Sequence, residues 1–358
     1  MAKRKLSAKA SHIDAALDGK SEVSAARARG LGFDELRFTP ATLPEVDFEA
    51  IDPSLELLGK RIAAPLMISP MTGGLKKGAI LNRRMARAAE IVGLPFGVGS
   101  QRVALEVKGR AKDFQVRKWA PTIPLFANLG AVQLVKGYGV DHAQRAVEMI
   151  GADALYLHLN AMQEVVQEGG DTQWSGVLKA ITALCEAFQK RGGVPVFARE
   201  VGFGVPADQA RRLIDAGIQG IDCAGAGGTS WTLLEGRIAR GTVHQNLGQT
   251  FAAWGLTTPE SILEVRRAHQ TVPLIASGGV RSGLDVAKAV ALGATVAGMA
   301  SPVLRAAIKS EGAVVKHLER TILELKVAMF GVGTRTLADF RRQPRLVLPV
   351  GSGISRDR

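Results

Sequence analysis

Eight short apolar runs, most of them closed by a glycine-bearing loop and followed by a helical pattern, constrain this chain more than any other feature. They are residues 64–69 (APLMIS), 95–100 (PFGVGS), 124–130 (PLFANLG), 154–160 (ALYLHLN), 195–200 (PVFARE), 218–225 (IQGIDCAG), 273–279 (PLIASGG) and 295–301 (TVAGMAS). Their apolar character is continuous rather than alternating, the pattern of strands covered on both faces by helices. Five runs carry a proline at the entry, where a missing N–H costs little. Between the runs lie amphipathic segments with recognisable ends. Residues 206–216 place Pro206 in a first turn, Ala210, Leu213 and Ile214 on one face, and Gly217 beyond the end. At 258–268 Thr258 is expected to cap and Pro259 to start the helix. Ser282 and Asp285 have capping-box spacing, and the helix at 141–150 is closed by Gly151. Eight strand–helix units predict an α/β fold, a closed (β/α)8 TIM barrel, with an open doubly wound sheet as the structural alternative.

The long interval at 229–257 reads as an insertion over the barrel mouth. The expected organisation is an N-terminal extension or lid at 1–50, a barrel at 51–335, and a terminal helix fading into a flexible tail at 336–358. No apolar run approaches the roughly 20 residues that span a bilayer. The N-terminal stretch lacks an apolar core before a small-residue cleavage site, and the two cysteines, Cys185 and Cys223, cannot build a disulfide framework. A reducing cytoplasm is therefore expected, with no membrane partner. The net charge of +13 is scattered along the chain, and aromatic residues are only 5%, so stacking platforms for nucleic acid are scarce. Small polyanionic substrates such as phosphates fit that surplus better.

Active sites of such barrels lie at the C-terminal ends of the strands. Here those ends are polar and glycine-rich, without a G-x-S-x-G elbow or an HExxH helix. SGGVRSG, after the seventh run, brings Gly278, Gly279 and Arg281 to the usual phosphate position, ahead of a helix N-terminus; turn glycines are the plainer alternative. HLNAMQE places His158, Asn160, Gln163 and Glu164 together after the fourth run. One carboxylate beside amides suits Mg2+ shared with substrate phosphate oxygens. His158 alone could equally be a hydrogen-bonded core histidine, and Glu164 alone a solvated acid. Ser100, Gln101 and Arg102 form a donor-rich turn suited to an oxyanion, or simply an exposed loop. AGAGGTSW (224–231) can pass under a flat ring, and Cys223 reads as packing.

MTGG, LPFGVGSQR, ANLGAVQL, HLNAMQE, REVGFGV, AGAGGTSW, SGGVRSGLDVAKAVALGA and GMASPVL, in this order, resemble the type 2, flavin-dependent isopentenyl diphosphate isomerases over about residues 30–340. The resemblance implies FMN- and Mg2+-dependent interconversion of isopentenyl and dimethylallyl diphosphate. NADPH, or NADH, is then needed only to keep the flavin reduced. It also implies a homotetramer or homo-octamer. By the same resemblance Met71, Thr72, Gly73, Ser100, Asn128 and Thr229 contact FMN, and Gly278, Gly279, Val280, Arg281, Ala300 and Ser301 hold its phosphate end. Ser100, Gln101 and Arg102 meet the substrate, Gln163 lies against its reacting carbons beside His158 and Asn160, and Glu164 binds Mg2+. Two departures stand out: Arg199 replaces a family lysine beside the flavin, and the N-terminal diphosphate motif keeps only Lys9 and His12.

An allylic shift from C2 to C4 of an unactivated alkene needs a strong acid and a base on one face. No side chain at the mouth is such an acid at neutral pH, whereas a reduced flavin can do both jobs where water is excluded. The rival readings are an FMN-dependent oxidoreductase of a small hydroxy acid, which needs a histidine beside an arginine clamp after the later strands, and a non-catalytic phosphate or nucleic-acid binder.

Overall fold

Each apolar run becomes a strand because a barrel wall buries it twice, against the barrel interior and against a helix. The computed structural model describes residues 14–23, 28, 30–71 and 76–349. Eight parallel strands form the wall: β1 (Leu66–Ile68), β2 (Phe96–Gly97), β3 (Leu125–Gly130), β4 (Ala154–Leu159), β5 (Val196–Glu200), β6 (Gly220–Asp222), β7 (Leu274–Ser277) and β8 (Val296–Met299). β8 pairs with β1 through Ala297↔Leu66, Gly298↔Met67 and Met299↔Ile68. That pairing closes the barrel and removes the open-sheet alternative, because no edge strand is left.

Around the wall lie α1 (Lys76–Val92), α2 (Val140–Ile150), α3 (Ala161–Val166), α4 (Val177–Lys190), α5 (Ala207–Asp215), α6 (Trp231–Ile238), α7 (Thr242–Thr250), α8 (Thr258–Ala268), α9 (Gly283–Ala291), α10 (Ser301–Lys309) and α11 (Glu311–Gly331). The period of two along each strand sorts its side chains. Met67, Phe126, Tyr156, Phe197, Ile275 and Val296 point inward as one cluster, and Leu57 and Ile62 of the hairpin Leu55–Leu57/Lys60–Ile62 join it from the N-terminal end. Their neighbours Leu66, Leu125, Leu155, Val196, Leu274 and Ala297 point outward into the helix layer. Phe126 stacks on Tyr156 at 4.8 Å and meets Phe197 edge-on at 5.5 Å, so the barrel centre is filled rather than open.

Helix ends follow the sequence with small shifts. Gly151 takes a left-handed conformation (φ 57°) beyond α2, and Ser282 and Asp285 form the expected capping box of α9. Pro206 is itself the cap residue of α5 rather than part of its first turn. α8 is capped by Thr257, one residue before the expected Thr258. Thr257 wins because its hydroxyl also donates to the Leu31 carbonyl at 2.7 Å, a tertiary contact invisible to local pattern. The interval 229–257 folds as the pair α6–α7, and α6 packs against α3. The C-terminal segment is tied down at least to Val347: Leu346–Val347 pairs with Arg37–Phe38. Among the described residues no helix is long and apolar enough to cross a membrane.

Candidate active site

The same period of two carries the inward direction one layer higher, to the C-terminal strand ends. There Ser69, Asn128, His158, Arg199, Asp222, Ser277 and Gly298 succeed the apolar layer of Met67, Phe126, Tyr156, Phe197, Gly220, Ile275 and Val296. Register places Gly130, His158, Arg199 and Asp222 side by side across β3 to β6. Above this polar layer opens a cavity of about 1040 Å³, at the upper end of the range for small-molecule sites.

On the β5–β7 side, Arg199 forms a buried ion pair with Asp222, lies 5.7 Å from the Tyr156 ring, and reaches Ser277 Oγ at 3.4 Å. Ser277 Oγ in turn donates to Asp222 Oδ1 at 2.5 Å. Burial raises the Asp222 carboxyl above its usual range, and Arg199 is the main influence acting against it. On the β4 side, Asn128 Nδ2 is committed to the Val98 carbonyl, so His158 Nδ1 donates to Asn128 Oδ1 at 2.7 Å. A neutral His158 then presents Nε2 as an acceptor. Asn160 Nδ2 donates to Glu164 Oε1 at 2.8 Å, and Gln163 Nε2 to Glu235 Oε1 at 2.7 Å. Burial raises the Glu164 carboxyl, and the carboxylates of Asp171 and Glu235 push it the same way against two hydrogen-bond donors.

Most of the sequence-predicted residues line this one cavity: Met71, Ser100, Arg102, His158, Asn160, Gln163, Glu164, Arg199, Thr229, Gly278, Gly279, Val280, Arg281, Ala300 and Ser301. Gln101 does not. It is fully buried, accepts from Asn128 N at 2.8 Å and donates to the Ala146 carbonyl at 2.8 Å, so it braces β3 rather than meeting a ligand. Asn128 stands behind His158 instead of lining the cavity. Lys9, His12, Thr72 and Gly73 lie outside the described residues. The N-terminus of α9 also departs from expectation, because its amides are already used. Asp285 accepts from Arg281 N and Ser282 N at 2.9 and 3.0 Å, and Glu324 from Gly283 N at 2.7 Å. Side chains gather the anion there: Glu22 receives Arg305 at 2.6 Å, Arg281 at 3.2 Å and Ser301 Oγ at 3.2 Å.

Sequence reasoning missed Glu22, Ser69, Asp171, Asp222, Glu235 and Arg305. The inward period of two flags Ser69 and Asp222; the others sit in no motif, and only folding brings them to the mouth.

The residues present fit a flavin with a phosphate tail. Glu22 shows that the β7–β8 end attracts an anion, and Gly298 keeps the floor low: a Cβ there would lie 2.5 Å from Ser69 Oγ. Ser69 Oγ and Asn160 Oδ1 are buried without a protein partner, which suits polar ligand atoms. No group of three or more His, Cys, Asp or Glu among the described residues could cage a metal by itself. Glu164, with the unpartnered Asn160 Oδ1 beside it, suits a divalent cation that takes its other ligands from substrate oxygens.

A family model described as FMN-dependent dehydrogenase matches residues 2–119 and 180–346. Isopentenyl-diphosphate delta-isomerase of Stutzerimonas stutzeri is 49% identical over 97% of this chain and 99% of its own, and that of Xanthobacter autotrophicus 47% over 94% and 96%. The chain belongs to the type 2 isopentenyl-diphosphate isomerase family. It is an enzyme of the isomerase class. Among solved structures, an (S)-mandelate dehydrogenase chimera (TM-score 0.63, 17% identity, 95% and 91% of the two chains) and a mandelate oxidase mutant (TM-score 0.63, 20% identity, 95% and 94%) share the fold. These likenesses show the shared barrel fold, and in this chain HLNAMQE sits on β4 and α3 of that barrel.

Proposed function

We propose that the chain interconverts isopentenyl and dimethylallyl diphosphate by a 1,3-allylic proton shift, with FMN and Mg2+ as cofactors and NADPH as the reductant that keeps the flavin reduced. One observation carries this reading: Arg102, His158, Asn160, Gln163 and Glu164 line the same cavity as Gly279, Arg281 and Ser301. A diphosphate and a flavin phosphate would then be held at opposite ends of one mouth. When bound, FMN supplies the acid and base that the chain lacks.

The chain's own residues bind and orient. Arg281, Ser301 and the glycines at 278 and 279 would take the cofactor phosphate, with Met71, Ser100, Thr229 and Val280 along its body and Arg199 beside its ring. Ser100 and Arg102 would meet the diphosphate, with Lys9 and His12 of the 1–50 extension closing over it. Glu164 and Asn160 Oδ1 would share Mg2+ with its oxygens, and His158 would stand beside them. Gln163, its amide held by Glu235, would face the reacting carbons. Residues 51–335 would be the FMN-binding barrel and 336–358 its terminal helix and tail. The same reading makes the chain a cytoplasmic homotetramer or homo-octamer. A hydroxy-acid oxidoreductase is not favoured: among the described residues His158 is the only histidine lining the cavity, it stands on β4, and its Nδ1 is committed to Asn128.

The test is anaerobic incubation with FMN, dithionite, Mg2+ and isopentenyl diphosphate, which should equilibrate the two isomers. A colourless protein that takes up no FMN and forms no dimethylallyl diphosphate refutes the reading.

A further inference from the structure

Asp171 belongs to no motif, yet it joins the expected diphosphate cation to the expected metal ligand. Its Oδ2 accepts from Arg102 Nη1 at 2.6 Å and from Gln133 Nε2 at 3.1 Å, and its Oδ1 accepts from Lys136. Its own N–H donates to Glu164 Oε2 at 2.6 Å, and its carbonyl is fixed by Trp174 Nε1 at 2.9 Å. Both the Asp171 and Arg102 side chains are largely buried, at 13% and 25% exposure. Arg102 is gripped from its other side by Glu106 through Nε at 2.8 Å, so the guanidinium has two carboxylate anchors and one lasting direction.

We propose that Asp171 is a positioning residue for substrate binding: it sets the Arg102 guanidinium and the Glu164 carboxylate at a fixed separation, so that a diphosphate and its divalent cation meet a preset pair. The inference rests on the isomerase reading above and deepens it. The physical argument is one of preorganisation. Arg102 opens the short helix Arg102–Glu106, and without anchors its long side chain would sample several rotamers; ordering it on binding costs about 0.5–1.5 kcal/mol for each such side chain. Asp171 orders Arg102 and Lys136 in advance, and its N–H holds the carboxylate that would face the metal. A simple charge count predicts the opposite sign. An anion beside Arg102 offsets the cation, so removing it should strengthen diphosphate binding. Positioning and charge masking are therefore separable by one measurement.

The measurement is calorimetric binding of inorganic pyrophosphate with Mg2+ to the FMN-loaded protein, alongside steady-state isomerase kinetics. Asp171→Asn should weaken pyrophosphate binding and raise the KM for isopentenyl diphosphate 10-fold or more, while kcat and the flavin absorption spectrum stay nearly unchanged. The effect should largely vanish in an Arg102→Gln background, because Asp171 acts through Arg102. Asp171→Glu, which keeps the charge but moves the carboxylate by one methylene, should give an intermediate loss. Tighter or equal pyrophosphate binding in either single variant overturns the inference, as does a full-sized Asp171→Asn effect without Arg102. A wild-type protein that isomerises normally while the variants behave like it refutes positioning alone. A wild-type protein that neither binds pyrophosphate nor isomerises refutes the functional reading, and the positioning role falls with it.

Discussion

Replacing Arg199 with methionine tests whether the polar layer under the cavity depends on one buried ion pair. Asp222 is fully buried, and its charged or hydroxyl partners are Arg199, Ser277 and the Tyr156 phenol. Methionine keeps most of the apolar stem, so the change removes charge more than volume. Breaking a buried pair from one side costs about 3–5 kcal/mol, because the remaining charge has no compensation. Protonation of Asp222 limits that cost. For a carboxyl with an ordinary pKa near 3.9, taking up a proton at pH 7 costs about 4 kcal/mol at about 1.4 kcal/mol per pH unit. The two estimates agree on a loss near 4 kcal/mol at pH 7. The sign with pH follows by linkage. In the variant the folded-state pKa of Asp222 lies further above its unfolded value, so that stability is present at low pH and lost as pH rises. The gap to wild type should shrink between pH 7 and pH 5, by at most about 2.7 kcal/mol. Guanidinium titration of both proteins at the two pH values, without added flavin, measures this. Wild-type stability at pH 7, or a gap that does not narrow toward pH 5, refutes the reasoning; the narrowing should be smaller in an Arg199→Met, Asp222→Asn double variant, where only Glu200, raised to about 7 by burial and held down in part by Arg199, still titrates in that range.

Three other outcomes are expected. Glu164→Gln should leave the protein yellow but cut Mg2+-dependent turnover by roughly 100-fold, read as rate against Mg2+ concentration; full activity removes Glu164 from the metal site. Gly298→Ala should cost about 1–3 kcal/mol in urea unfolding and weaken FMN uptake in a fluorescence titration, because the new Cβ lies 2.5 Å from Ser69 Oγ and 2.8 Å from Ser277 Cβ. Deleting residues 1–12 should raise the KM for isopentenyl diphosphate several-fold with little change in thermal midpoint; an unchanged KM means that Lys9 and His12 do not close over the substrate.

The barrel and most of its mouth were legible in the amino-acid order because the signals are local. A strand buried on both faces must be apolar throughout, so each of the eight runs announced itself, and the period of two then dictated that His158 follows Tyr156 inward and Arg199 follows Phe197. Turn glycines and a capping box act over three or four residues, which is why Gly151 and the Ser282–Asp285 pair were readable. Contacts across the fold were not. Gln101 looked like a substrate donor from its motif, but its amide is used up between β3 and α2. The α8 cap fell to Thr257 through a carbonyl 226 residues away. Glu22 reaches Arg305 across 283 residues, and Gln163 reaches Glu235 across 72. Sequence alone determined which strand side chains face the mouth, since that follows from strand periodicity; the loop and helix residues that join them, such as Glu22, Asp171 and Glu235, come there only through the fold. Tertiary structure decided which of them are paired, since hydrogen bonds and ion pairs depend on distances that only the closed barrel sets.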